Sequence, residues 1–351
     1  MRIFKMKKLI AIAVSAVLLA VACNDKENTV QDVAMSQGKT MGTFYMVQSV
    51  SPYEGGSGQL TADCEAEFKR IVDVISTFDP KAELYRLDDL KSIEPVEISP
   101  LLFKIISGCQ KQSARIDYAM DITVGPLVSL WGFGKDKRLS REPDPIAVET
   151  AKRLVGSDKF KLYEENGRHY LEKAYPEVRI DLATVGEGLG ADAVADMLDA
   201  KGIKNYFASV AGASRSAGVN SRGKPWRIGI EDPSTPDHSI FATVCPMGKA
   251  MSTAGSYRNY FKDEKNGRIY SHAIDPKTGR PVDHSTMSVT VIADISFETD
   301  ALDTGLLVWG ADKALEWAER EGVAVYTIEM KDGKSVGRAS SAFKPYLKCG
   351  E

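Results

Sequence analysis

The segment Glu298-Thr299-Asp300-Ala301-Leu302-Asp303-Thr304-Gly305 runs straight into the apolar stretch Leu306-Leu307-Val308-Trp309. On a helix, positions 300, 303 and 304 share one face, so two carboxylates and a hydroxyl stand together beside residues that must be buried. Oxygen ligands of this kind suit Mg²⁺, which takes a few carboxylates together with substrate phosphate oxygens. The same residues also read as a helix start whose acidic first turn complements the helix dipole.

Three further segments could bring a ligand to that face. His272-Ala273-Ile274-Asp275-Pro276-Lys277-Thr278-Gly279-Arg280-Pro281 is too rich in turn formers to be helix or strand throughout and reads as a shaped loop, with His272 a candidate base. Asp181 to Asp192 passes from a strand into a helix through Gly186, Gly188 and Gly190, where backbone approaches a ligand closely and a helix N-terminus attracts phosphate. It is neither a Walker A loop nor a GxGxxG turn. Asp117 to Gly134 combines apolar residues with glycine bends and fits either an aromatic-ring pocket or plain core.

Elements that could hold these segments follow from periodicity. Leu60, Cys64, Phe68, Ile71, Val72 and Ile75 recur at helical spacing, as do Leu101, Leu102, Ile105, Ile106 and Cys109 behind a Ser99-Pro100 start. Further helices are expected at 187–200 and 311–321, and strands at 44–50, 178–182, 206–210, 226–230, 287–293 and 323–329. Interleaved helices and short strands predict an α+β class with mixed sheets packed by helices, in one domain over 38–349. With 45 Lys and Arg against 48 Asp and Glu, the 351-residue chain lacks the basic excess of a nucleic-acid binder.

Residues 1–22 read as a signal peptide: Arg2, Lys5, Lys7 and Lys8 precede the apolar run Leu9 to Ala22, too short to span a bilayer. Cys23 after Ala20-Val21-Ala22 resembles a bacterial lipobox, with Ala where Leu is usual. A lipid on Cys23 would anchor the chain to the membrane, and residues 23–37 would form the lipidated cysteine and its polar tether. An exported chain can pair two of Cys64, Cys109, Cys245 and Cys349, but spacing does not choose among three connectivities, and buried thiols are equally compatible.

Nine segments occur in the order and spacing of the ApbE family of FAD:protein FMN transferases, and the chain resembles that family over essentially all of residues 38–345. They are Met41-Gly42-Thr43, Ser76 to Pro80 followed by Glu83-Leu84, Asp121 to Gly134, Asp181 to Asp192, Ser209 to Gly212, Pro225-Trp226-Arg227, Ser252 to Tyr257, His272 to Pro281 and Asp300 to Thr304.

The resemblance implies a single α+β domain and Mg²⁺-dependent transfer of FMN from FAD to a Ser or Thr hydroxyl of an acceptor flavoprotein, with AMP released. The acceptor would be a membrane subunit of a sodium-pumping quinone reductase or its Rnf relatives (Nqr/Rnf-type), reached from a lipid-anchored, exported position. Carried over by position, FAD contacts would involve Met41, Phe78, Ala119, Met120, Asp121, Ala183, Leu189 and Ile274. Mg²⁺ would be held by Asp300, Asp303, Thr304 and the carbonyl of Gly186, with His272 or Asp303 as the base. Two departures stand out: Glu187 where many members carry Lys, and Ala211-Gly212 where a Gly-Gly pair is usual. Two other readings use the same residues, a Mg²⁺-dependent FAD pyrophosphatase and a non-catalytic FAD-binding lipoprotein. The acidic face argues against the second, because carboxylates repel a diphosphate unless a cation lies between them.

Overall fold

The computed structural model describes residues 33–134, 139 and 141–349. The expected signal peptide, Cys23 and most of the expected tether lie outside the described residues. The expected tether bound at residue 37 falls inside a strand, Ala34–Thr40, in which Ala34 and Ser36 are buried.

That strand, β1, begins a principal sheet whose eight strands lie side by side in chain order. The others are β2 (Thr43–Ser49), β3 (Tyr206–Val210), β4 (Ala213–Ala217), β5 (Ala250–Gly255), β6 (Thr286–Ala293), β7 (Ala324–Lys331) and β8 (Lys334–Ala339). Every neighbouring pair is antiparallel. The β4–β5 pairing is brief, joining only Ala250 to Arg215 and Met251 to Ser214, so β5 diverges from β4 beyond that point.

Among the described residues the five longest helices are α1 (Gly56–Ile75), α2 (Pro100–Arg115), α3 (Ala183–Ala200), α4 (Ser296–Trp309) and α5 (Ala311–Glu321). α1 buries Leu60, Cys64, Phe68, Ile71 and Ile75, the stripe its spacing predicts. α2 starts as its sequence requires: Ser99 Oγ accepts the Leu102 N–H, and Pro100 stands where no amide is needed. α3 packs on β3 and β4, α4 on β5 and β6, and the two helices pack against each other. The α+β expectation holds, and a second, three-stranded antiparallel sheet of 96–98, 160–165 and 168–173 accompanies the principal one. None of the described helices is long and apolar enough to cross a membrane.

Residues 178–182 are not a strand. Val178, Ile180 and Leu182 are fully buried, which gave the alternating pattern, but the backbone amides pair with a helix side chain and a turn carbonyl instead of a ladder. The Ile180 N–H donates to Asp88 Oδ1 at 3.3 Å and the Asp181 N–H to the Ile122 carbonyl at 2.6 Å. The strand expected at 226–230 starts at Ile228.

Cys245 and Cys349 form a disulfide, whereas Cys64 and Cys109 are buried free thiols. Burial pushes the Cys64 thiol up to about 12, so it is inert as a nucleophile. A crosslink 104 residues apart removes much freedom from the unfolded chain. Replacing both cysteines by Ala should lower unfolding free energy by about 2–4 kcal/mol. Denaturant titration measures this, and coincident curves for the oxidised and substituted chains would rule it out.

Candidate active site

The helix α4 holds its carboxylates where three elements meet. The Gly188 N–H of α3 donates to Asp300 Oδ2 at 2.7 Å, and Ser252 Oγ of β5 donates to Asp300 Oδ1 at 3.2 Å. Only glycine permits this approach at 188: a Cβ there would stand 2.5 Å from the Ser296 carbonyl oxygen and 2.8 Å from the Asp300 Cβ. On the other side Gly305 admits α2 and the following turn, since a Cβ there would meet Ile116 Cδ1 at 2.2 Å and the Met120 nitrogen at 3.0 Å.

Asp303 is 1% exposed and Asp300 7% exposed. Asp303 Oδ1 accepts from Thr304 Oγ1 at 3.2 Å, and Thr304 Oγ1 accepts in turn from Thr184 Oγ1 at 3.0 Å. Asp303 Oδ2 is buried with no hydrogen-bond partner. Burial raises the pKa of both carboxyls well above the ordinary carboxylate range; for Asp300 the charges of Asp303 and Glu187 add to it. The dipole-capping alternative fails, because α4 begins at Ser296 and only Glu298 falls in its first turn.

These carboxylates open on a cavity of about 810 Å³, within the range of small-molecule sites of about 300–1,000 Å³. Of the expected FAD contacts, Phe78, Ala119, Met120, Asp121, Ala183 and Ile274 line it, with Asp300, Asp303, Thr304 and His272. Val124, Val128, Phe133 and Leu307 are further apolar lining residues, and Glu187, Thr253 and Arg258 further polar ones, with Ala211 and Gly212 beside them.

Met41, Leu189 and Gly186 do not line the cavity. Met41 occupies the β1–β2 turn at φ +51°, beside Gly42 at +78°. Its side chain lies over α3, 3.9 Å from where a Gly186 Cβ would be and 3.3 Å from where a Gly190 Cβ would be. The small residues of α3 thus admit a methionine as well as a neighbouring helix, and Leu189 packs on the core.

Asp121 is held by its own turn, Oδ1 accepting from the Thr123 N–H at 2.8 Å and from Thr123 Oγ1 at 2.6 Å. Burial raises its pKa. Glu187 accepts from the Gly212 N–H at 3.2 Å, and burial raises its carboxyl as well. Its partner loop contains Ala211 at φ +44°, a conformation suited to the glycine usual there.

His272 sits at the base of a short hairpin, Ile274–Asp275 with Arg280–Pro281. Its Nδ1 lies 3.2 Å from the Asn259 carbonyl oxygen. A carbonyl only accepts, so Nδ1 carries the proton and Nε2 keeps its lone pair. Burial lowers the His272 pKa, against the Asn259 bond, which raises it. Arg258 pairs with Glu231, and Lys277 of the hairpin turn pairs with Asp117. Sequence reasoning gave Arg258, Thr253 and Gly212 no role, although Thr253 and Gly212 fall in matched segments and Arg258 directly follows one.

Among the described residues no three His, Cys, Asp or Glu side chains converge as a closed metal cage. The pair of buried carboxylates with an unpartnered oxygen nonetheless fits a cation that draws its remaining ligands from a substrate and water.

The family model described as "ApbE family" matches residues 41–327. The chain belongs to the ApbE family. Among curated ApbE relatives, the FAD:protein FMN transferase of Salmonella typhimurium is 38% identical over 96% of this chain and 97% of its own length. That of Haemophilus influenzae is 39% identical over 99% and 100%. Among solved ApbE structures, the flavin transferase ApbE from Vibrio cholerae superposes with a TM-score of 0.81 at 34% identity, covering 90% of this chain and 99% of that one. The apo flavinyl transferase ApbE of Pseudomonas stutzeri gives 0.80 at 30% identity, covering 91% and 98%. The α+β domain is thus the ApbE fold.

Proposed function

We propose that this chain is an enzyme that transfers FMN from FAD to a Ser or Thr hydroxyl of an acceptor flavoprotein, Mg²⁺-dependent and releasing AMP. The observation that carries this is the buried, partnerless Asp303 Oδ2 beside Asp300 on the wall of a cavity of ligand size. Relatives over nearly the full chain are FAD:protein FMN transferases.

Asp300, Asp303 and Thr304 would hold Mg²⁺. The metal supplies charge neutralisation for a transferring phosphoryl group. Ser252 and Gly188 fix Asp300, and Thr184 with Thr304 fixes Asp303 Oδ1, so both carboxyls are held in place before any ligand arrives. The apolar lining residues Phe78, Met120 and Phe133 suit the flavin ring, and the polar lining residues the diphosphate and adenylate. In the reaction, the acceptor hydroxyl bonds to the phosphorus nearer riboflavin, the P–O–P link breaks, and AMP leaves with the bridging oxygen. His272 Nε2 takes the hydroxyl proton, which its neutral tautomer permits.

The acid limb of the rate profile should therefore lie below the ordinary imidazole value of 6.5, because burial keeps His272 neutral to lower pH. Arg258, Asp121, Asp181, Glu187, Asp300 and Asp303 share the cavity wall with it. His272→Ala should lower kcat about 100-fold and remove that limb; a retained limb with kcat within about tenfold would exclude the role.

The proposal extends to place and partner: an exported enzyme held to the membrane by a lipid on Cys23, serving an Nqr/Rnf-type subunit. The Cys245–Cys349 disulfide supports an oxidising compartment. The direct test incubates the protein with FAD and Mg²⁺, with and without an acceptor peptide, and follows AMP and peptide mass. Mg²⁺-dependent addition of FMN to the peptide is expected. AMP formed at full rate without acceptor would instead identify an FAD pyrophosphatase, and intact FAD would leave a binding protein.

A further inference from the structure

We propose that Asp192, which lies outside the cavity, is a positioning residue: it fixes α4 so that Asp300 and Asp303 meet a cation. This rests on the Mg²⁺ reading above. α4 lacks a cap of its own, because its N-cap residue is Ile295, whose side chain accepts no hydrogen bond. The cap comes from α3 instead. Asp192 Oδ1 accepts from the Ser296 N–H at 2.9 Å and Oδ2 from the Phe297 N–H at 2.8 Å.

Position is what makes this cap more than a stabilising contact. Asp192 lies one helical turn beyond Gly188, and Ser296 one turn before Asp300. α3 therefore grips α4 at two points, the Asp192 cap and the Gly188–Asp300 bond, both on the face of α4 that carries the carboxylates. Shifting the first turn of α4 moves both carboxylates together.

Arg215 of β4 completes the arrangement. Its Nη1 lies 3.2 Å from Asp192 Oδ1 and 2.7 Å from Asp196 Oδ1, and its Nη2 3.3 Å from Asp199 Oδ2. Asp192 is buried, whereas Asp196 and Asp199 are largely solvent-facing. Burial raises the Asp192 pKa, and the guanidinium works against that, favouring the charged form of the carboxylate to which two helix amides donate.

The test measures Mg²⁺ binding calorimetrically on the full chain without FAD, in wild type, Asp192→Asn, Arg215→Gln and Asp196→Asn, with transfer rates alongside. Asp192→Asn should weaken Mg²⁺ binding about 10- to 100-fold and Arg215→Gln about three- to tenfold, as residues orienting metal ligands do. Asp196→Asn should stay within about twofold, because Asp196 pairs with Arg215 without touching α4. Excess Mg²⁺ should restore kcat in Asp192→Asn with the FAD KM unchanged, which general loosening of the fold would not allow. If Asp192→Asn does not fold, Arg215→Gln decides the matter. Mg²⁺ affinity equal to wild type in the folded variants overturns this inference alone. A wild-type chain that binds no Mg²⁺ either alone or with FAD present overturns the metal reading and this inference with it.

Discussion

Asp303→Asn is expected to lower FMN transfer by about 10³- to 10⁵-fold while leaving the metal-free protein as stable as wild type or more so. The first half follows from the several kcal/mol that a bound metal contributes to a phosphoryl transition state, each 1.36 kcal/mol being about tenfold in rate. The second follows from burial. Asp303 is 1% exposed, has one oxygen without a partner and shares its surroundings with Asp300 and Glu187. A neutral amide removes a charge that the empty site disfavours, so the thermal midpoint of the variant should hold or rise. Scanning calorimetry without Mg²⁺, paired with mass analysis of the acceptor, reads both halves. Full transfer activity would exclude Asp303 from the site, and a sharp loss of metal-free stability would mean that its carboxylate serves the fold.

Gly188→Ala is expected to cost about 2 kcal/mol of stability and about 10³-fold in transfer. Alanine favours a helix over glycine by about 1 kcal/mol, but a Cβ at 188 would stand 2.5 Å from the Ser296 carbonyl, which is backbone and cannot rotate away. Overpacking of this kind costs about 1–3 kcal/mol and sometimes more, so the clash outweighs the propensity. Parting α3 from α4 also breaks the Gly188–Asp300 bond and displaces both carboxylates, and a misplacement of about 1 Å alone costs about 100-fold. Gly58→Ala in α1 provides the contrast: nothing lies within 4 Å of its Cβ position, so the propensity gain of up to about 1 kcal/mol should appear unopposed. Equal behaviour of the two variants, in denaturant midpoints and in activity, would contradict the close-approach argument.

What the sequence made legible was local. The spacing of Asp300, Asp303 and Thr304 placed them on one face because helical geometry depends only on separation along the chain. The turn formers of 272–281 marked a shaped loop for the same reason, which the chain builds as a short hairpin. The Asp192 cap was not legible: it joins residues 104 and 105 positions apart, and its sequence sign, an apolar Ile295 where a cap belongs, speaks only once α4 is known to start at Ser296. Residues 178–182 mimic a strand because alternate burial arises wherever a chain threads between two packed layers, ladder or not. Met41 read as a ligand contact by position, yet a left-handed turn carries its side chain over α3. The choice of Cys245 with Cys349 required their Cα atoms to lie 5.3 Å apart, a property of the folded chain alone.

The sheet runs in chain order, but its joints are unequal in the time they take to form. From β5 to β8, with α4 and α5 between, each strand finds its partner within residues 250–339, whereas joining β2 to β3 means closing a loop that contains residues 50–205. Loop closure is an entropic cost that precedes the contacts rewarding it, so the segment bearing Ser252, His272, Asp300 and Asp303 should acquire order first. Pulse-labelling hydrogen exchange during refolding should then protect β5–β8 amides before those pairing β2 with β3; the reverse order would show that the long intervening segment nucleates the molecule. The catalytic half would exist as a surface, still without α3, before its other wall arrives.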